Sequence, residues 1–303
     1  MKVSYLGPKA TFTHLAVLSF FGSDVELIPY HTIPSNMDAV DNQDVELAVI
    51  PIENALEGSV NLTIDYLIHE KPLFIVGELI APIEQHLMVH PCRKDSWEQI
   101  ERVYSHSHAI AQCHKFLHQE LPYVSYDYAT STGAAAKYIH ENPDKNVAVI
   151  ANALAAKEYG LHIVKRNIHD YHHNHTRFVI LHPEKQYSLI NERNLEKNGD
   201  KTTLVITLPL NRAGALHQVL SAFSWRNLDL SKIESRPMKT GLGDYLFIID
   251  IESKMDDVLI PGAIAELEAL GCTTKVLGSY PSFQISESIF NNLNGAVRKG
   301  ENR

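Results

Sequence analysis

Apolar and polar positions along residues 1–183 switch repeatedly between a two-residue and a 3.6-residue period. KVSYLG (2–7) is a strand-like run closed by a Gly-Pro turn. TFTHLAVLSFFG (11–22) carries apolar residues at helical spacing, with Thr11 or Thr13 placed to cap it and Gly22 at its exit. A strand over 25–30 and a helix over 32–42, with Ser35 near its start, follow. LAVIPI (47–52) is a near-continuous apolar strand of the kind buried on both faces. This alternation predicts a mainly parallel sheet with helices on both sides. A second series has strands over 74–82, 84–91, 124–129 and 147–151. Its helices are read over 96–103, 108–121, 131–142 and 153–161, the last stopped by Gly160. A strand over 177–183 closes it. The pattern predicts two α/β lobes, one about 1–78 plus 177–183 and the other about 79–176. The chain crosses near 78–82 and returns near 170–177. A ligand cleft is expected between the lobes, at the carboxyl ends of the strands.

Residues 184–201 change character, with eight charged residues in eighteen, and read as a linker. Residues 202–283 then follow a β-α-β-β-α-β order, a ferredoxin-like unit of about 80 residues. GLGDY (241–245) reads as a hairpin turn inside it, and 284–303 as a frayed polar tail.

Charge narrows the function. With 27 Lys+Arg against 36 Asp+Glu in 303 residues, the net charge of −9 disfavours phosphate backbones and anionic membranes. No apolar run reaches about 18 residues, and the first residues enter a strand pattern without an apolar leader. Cys92, Cys113 and Cys272 are few, odd in number and widely spaced, which predicts a reduced, cytoplasmic protein without a cysteine metal site. The densest histidines, at 169, 172, 173 and 175, read as a solvated polar loop rather than metal ligands.

Four segments carry candidate chemistry. In PIENALEGSVNLTIDYL (51–67) a buried strand ends on Glu53-Asn54, and a helix opening near Ser59 offers N–H groups to an anion. The alternative is a turn in which Asn54 and Glu57 satisfy backbone groups. In YSHSHAIAQCHKFL (104–117), Ser105 and Gln112 are spaced to share a helix face, and His106 and His108 read as a polar helix start. STGAAAKY (131–138) starts a helix with hydroxyl caps and small residues that permit close approach. In HNHTRFVIL (173–181), Thr176 and Arg177 sit where the chain returns to the first lobe. An arginine opening an apolar strand is costly unless it holds a carboxylate, of a ligand or of a salt bridge. No GxSxG, HExxH or convincing GxGxxG is present.

Taken in order, GPKATFTH (7–14), PIENALEGSV (51–60), SHSHAIAQC (105–113), STGAAA (131–136) and NHTRF (174–178) resemble the prephenate dehydratase family, with likeness from residue 1 to about 283. GALHQVL (214–220) and IESRP (233–237) resemble the phenylalanine-binding signature of an ACT regulatory domain. Ser107-His108 depart from the Pro-Gln of many members, and no room precedes residue 7 for the chorismate mutase fused to some of them. The resemblance implies an α/β protein: a two-lobed catalytic domain similar to periplasmic binding proteins, plus the ferredoxin-like ACT domain. It implies decarboxylating dehydration of prephenate to phenylpyruvate, water and CO2 in phenylalanine biosynthesis, without cofactor or metal. Thr176, Asn54, Ser105 and Gln112 match positions tied to catalysis, and Arg177, Thr11, Ser131 and Thr132 to substrate binding. Gly214, Ala215, Leu216, Glu234, Ser235, Arg236 and Pro237 match the allosteric phenylalanine site. A homodimer or homotetramer through the ACT domains is expected. The competing readings are arogenate dehydratase, on the amino analogue, and a non-catalytic small-molecule-binding regulatory module.

Overall fold

The computed structural model describes residues 1–22, 24–185, 190, 197–209, 213–238 and 245–285. Most of the turn expected at 241–245, most of the charged stretch after 185 and the tail from 286 lie outside them. The chain forms two compact units, one holding Met1–Ile64 and Leu79–Phe178, the other Asp65–Glu78 and Val179–Gln284.

In the first unit the strands and helices alternate as β1 (Lys2–Leu6), α1 (Phe12–Phe21), β2 (Glu26–Tyr30), α2 (Ile33–Asp41), β3 (Leu47–Asn54), the two-residue β4 (Gly58–Ser59) and α3 (Asn61–Asp65). β1 pairs in parallel with both β2 and β3. Each early helix starts where a hydroxyl replaces a missing backbone acceptor. Thr11 Oγ1 accepts from the His14 N–H at the head of α1, and Thr32 with Ser35 closes a reciprocal capping box on α2.

The chain then runs through β5 (Phe74–Pro82), β6 (His86–Val89), β7 (Arg102–Ser105), α4 (Ser107–Ala111), α5 (His114–Glu120), β8 (Ser125–Tyr128), α6 (Thr132–Glu141), β9 (Val147–Ala151), α7 (Ala153–Glu158), β10 (His162–Lys165) and β11 (His175–His182). A five-stranded sheet has the order β10-β6-β9-β7-β8. It is mixed rather than parallel, because β6 meets β9 and β10 antiparallel while β7 meets β8 and β9 in parallel. Its side chains sort by the period of two. Leu87, Val89, Ala148 and Ile150 enter one core with Ile110 and Leu117. Met88, Val149 and Ala151 enter the other with Ala135, Ala136 and Ile139. Both faces are covered, which explains the unbroken apolar runs.

Three local expectations are corrected. Residues 96–103, read as a helix, are a 3-10 turn at Trp97–Gln99 followed by β7. Trp97, Ile100 and Val103 have helical spacing, but all pack in the same sheet core, and the pairing of β7 with two neighbours prevails over that spacing. The helix read over 108–121 is two helices broken at Gln112-Cys113. There the Asp170 N–H takes the Gln112 carbonyl at 2.7 Å, and the Asp170 carboxylate receives the Lys115 N–H at the head of α5. The histidine-rich segment is not uniformly solvated, since His169 and Asn174 are buried.

The second unit contains β12 (Lys197–Thr207), α8 (Ala215–Ser224), β13 (Leu230–Pro237), β14 (Tyr245–Ile251), α9 (Leu259–Ala269) and β15 (Thr273–Gln284), the β-α-β-β-α-β order expected. Its strand order is β13-β14-β12-β15, with β5 beside β15. Residues 197–201, assigned by composition to the linker, are the start of β12 and pair with the end of β15. α8 has no side-chain cap, and Gly214 at its head has φ +84°, a left-handed conformation natural to glycine. A missing cap costs about 1 kcal/mol. Burial of Val219 and Phe223 against Ile249, Ile260 and Leu267 outweighs it, at about 1.5–3 kcal/mol for each such side chain.

Candidate active site

A cavity of about 570 Å³ opens in the first unit, between the ends of β1 and β3 on one side and the heads of α4 and α6 on the other. At the end of β3, Asn54 divides its amide between two tasks. Oδ1 accepts the Leu56 and Glu57 N–H groups, both at 3.0 Å, which forms the turn. Nδ2 donates to Thr176 Oγ1 at 2.9 Å, to Asn174 Oδ1 at 3.1 Å and to the His175 carbonyl at 3.3 Å. The two backbone donors settle which amide atom is oxygen. Thr176 is buried at 8% exposure and lines the cavity. Because its oxygen already accepts from Asn54, its proton is left for another acceptor.

Opposite, Gln112 reaches the cavity from the break between α4 and α5. Ser131 caps α6 by accepting from the Ala134 N–H at 3.0 Å. Thr11 caps α1 and donates to the Leu6 and Pro8 carbonyls. Thr11 and Ser131 therefore bring two ten-residue helix N-termini to the cavity wall. Gly133 allows this, since a Cβ there would lie 2.4 Å from the Lys9 carbonyl oxygen. Among the described residues no lysine or arginine lines the cavity. The Glu57 carboxylate is on the wall as well, while the helix N-termini of α1 and α6 present the dipole ends that suit an anion. Among the described residues no group of three or more His, Cys, Asp or Glu is arranged to hold a metal, and no helix is long and apolar enough to cross a membrane.

Residues 3–186 match the family model described as prephenate dehydratase. The chain belongs to the prephenate dehydratase family. The prephenate dehydratase of Bacillus subtilis is 62% identical over 286 residues, covering 94% of this chain and all of the relative. A solved prephenate dehydratase from Arthrobacter aurescens, in complex with L-Phe, is 31% identical with a TM-score of 0.81 and 98% coverage of both chains. That of Staphylococcus aureus is 33% identical with a TM-score of 0.78, over 92% of this chain and all of that one. The chain is an enzyme, a dehydratase of the lyase class acting in aromatic amino acid biosynthesis.

Within this family frame, the cavity gathers Asn54, Gln112, Thr176, Thr11, Ser131 and Thr132 from the residues singled out by sequence. It does not gather Ser105 or Arg177. Ser105 is fully buried at the end of β7 and donates to the Ile150 carbonyl at 2.6 Å, which ties β7 to β9. The Arg177 guanidinium pairs with Glu53 at 2.5 Å. The turn expected at Asn54 forms through Oδ1, and the other end of the same amide reaches Thr176. His106 and His108 also line the cavity; the His106 imidazole accepts the His108 N–H at the head of α4. Burial lowers the His106 pKa, with His108 adding to the effect and Glu57 opposing it. Sequence reasoning missed His31, Phe178 and Gln85 on the wall. Only Gln85 left a signal, as a polar residue at the start of an apolar strand.

In the second unit Gly214 and Ala215 lie at the head of α8, and Leu216 is exposed. Glu234 and Arg236 sit on β13, with side chains less exposed than those of Ser235 and Pro237. Arg236 pairs with Glu234 and with Asp65 at 2.6 Å.

His86, beside the cavity, gives a pH-dependent prediction. Burial first, then the Arg166 charge, pushes its pKa down to about 4, and its Nδ1 accepts the Asn167 N–H at 3.0 Å. The unfolded chain therefore binds this proton more readily than the folded one between about pH 4 and 6.5. The stability from neutral His86 is complete above pH 6.5 and is lost as pH falls through that window. The loss approaches about 3 kcal/mol. A His86→Gln variant should show a flatter fall of Tm over pH 6.5 to 4; identical slopes would refute the assignment.

Proposed function

We propose that the cavity dehydrates and decarboxylates prephenate to phenylpyruvate, with Thr176 as the hydrogen-bond donor to the departing ring hydroxyl. The hydrogen bond from Asn54 to Thr176 carries this reading, because it leaves the threonine with a proton to give. In the reaction the ring carbon's bond to its carboxylate breaks, and the electron pair enters the ring. The carbon–oxygen bond of the opposite hydroxyl breaks, and the leaving oxygen takes one proton, supplied in net from solvent, to become water. Aromatisation supplies the driving force, so the enzyme's share is orientation and help for the leaving group. The α1 and α6 N-termini hold the pyruvyl carboxylate. With no lysine or arginine among the described residues of the wall, the departing ring carboxylate is not clamped there as an anion, which favours its release as CO2. Gln112 orients the ring substituents, while Ser105 and the Glu53–Arg177 pair hold the strands that carry the site.

The second unit is read as an ACT domain that senses phenylalanine, the end product, and joins two or four copies of the chain in the cytoplasm. Support comes from its β-α-β-β-α-β order, its Gly214–Leu216 and Glu234–Pro237 segments, and the L-Phe in the Arthrobacter relative. The effector shifts the population between working and non-working forms of the first unit. The test compares prephenate turnover with and without saturating L-phenylalanine in the full chain and in Gly214→Ala. A Cβ at Gly214 meets no described protein atom within 4 Å, so the substitution strains the local backbone and, on this reading, takes up space meant for the ligand. Turnover of the parent chain should fall with phenylalanine. That of the variant should not respond, with basal turnover within about twofold. A parent chain indifferent to phenylalanine, or a variant inhibited like its parent, would refute the regulatory reading.

A further inference from the structure

Three buried side-chain oxygens among the described residues have no protein hydrogen-bond partner: Tyr5 Oη, Asn36 Oδ1 and Gln85 Oε1. Of these residues, only Gln85 lines the cavity. It is 2% exposed, and its main chain is fixed: its N–H donates to His169 Nδ1 at 3.3 Å and its carbonyl accepts the Ile168 N–H at 2.9 Å. Two residues further on, the Asp170 N–H donates to the carbonyl of Gln112. One short segment, 168–170, thus anchors two glutamines that both reach the cavity wall. An unpaired buried acceptor costs about 1–3 kcal/mol, and such groups are rare where nothing will pair with them.

We propose that Gln85 contacts the substrate, its terminal amide, which makes no hydrogen bond to the described protein groups, turning its oxygen to the cavity to accept a hydrogen bond from the ring hydroxyl that leaves. The chemistry of prephenate makes the match. At neutral pH its two carboxylates and its ketone only accept hydrogen bonds, so its ring hydroxyl is the single donor able to satisfy an orphan acceptor. The hydroxyl oxygen then accepts from Thr176 while its hydrogen points to Gln85, which fixes the leaving group from two sides. As that oxygen gains a proton on its way to water, its O–H groups become stronger donors. The contact to Gln85 therefore tightens toward the transition state and acts on kcat.

The inference rests on the cavity being where prephenate turns over, and the experiment separates the two. Gln85→Met keeps the length of the side chain and removes the acceptor. Three quantities are measured on the full chain: kcat and KM for prephenate, the inhibition constant of phenylpyruvate, and Tm. Phenylpyruvate keeps the carboxylate and ketone but lacks the hydroxyl. The expected result is kcat/KM lowered by about tenfold to a hundredfold, mainly through kcat. The phenylpyruvate constant should stay within about twofold, and Tm should be equal or higher because an unpaired polar atom is gone. Unchanged kcat/KM overturns the proposal. A phenylpyruvate constant that rises with the loss of turnover overturns it by placing Gln85 on the pyruvyl group. A fall in Tm of several degrees overturns it by making Gln85 structural. If Thr176→Val is also fully active, the cavity reading itself has failed; if Thr176→Val is inactive and Gln85→Met is normal, only the role of Gln85 has.

Discussion

Thr176→Val lowers kcat for prephenate by about 10²-fold or more, the scale of losing a key donor to developing charge. Valine keeps the shape and removes only the hydroxyl, so the fold should survive. Asn54 keeps Asn174 Oδ1 and the His175 carbonyl as acceptors, and its turn to Leu56 and Glu57 is untouched. Thr176→Ser, which restores the donor, should recover most of the turnover. The measurement is the appearance of phenylpyruvate by its ultraviolet absorbance, alongside a thermal melt. Turnover near the parent's in the valine variant would remove Thr176 from the chemistry. A melt lowered in proportion to activity would mean that the hydroxyl is a fold element instead.

The largest effect on stability is expected at Glu78, in the second unit. Its carboxylate is fully buried on β5, receives the Ser282 hydroxyl at 2.8 Å and faces Lys201 Nζ at 3.2 Å. Lys201 is itself buried and also reaches Glu252 at 3.2 Å. Removing Glu78 takes away the buried partner of Lys201 and leaves it the partly exposed Glu252, so its buried charge is only partly compensated and Glu78→Ala should cost about 3 kcal/mol. The double variant Glu78→Met/Lys201→Met should recover most of that loss, because it removes both desolvation costs together. Urea unfolding of the three proteins tests this. A loss below about 1 kcal/mol in the single variant, or a double variant as weak as the single, would contradict it.

The readable parts of this protein are those whose cause is local. Thr11 and Ser131 announced helix starts because a hydroxyl before an apolar helical run has one favourable task, to cap the first turn. The apolar run at 147–151 marked a strand, and the structure covers both of its faces. Parts with a distant cause stayed hidden. Asp170, some sixty residues on, breaks the helix at Gln112. Arg177 could have faced a ligand or a neighbouring acid, and the choice fell to Glu53 on β3. Ser105 carried a hydroxyl that composition could assign to chemistry, yet strand register turned it to Ile150.

Much of the order of elements, the caps of α1 and α6, the second unit's β-α-β-β-α-β pattern and the polar residues from which a site could be drawn were determined by the sequence alone, since periodicity and capping act over a few residues. Which of those polar groups share a cavity was decided only by the tertiary structure. Each side chain has several possible partners, and only packing removes all but one. Asn54 meeting Thr176 across 122 positions, and the Gln85 side-chain oxygen meeting none of the described protein groups, are outcomes of that selection.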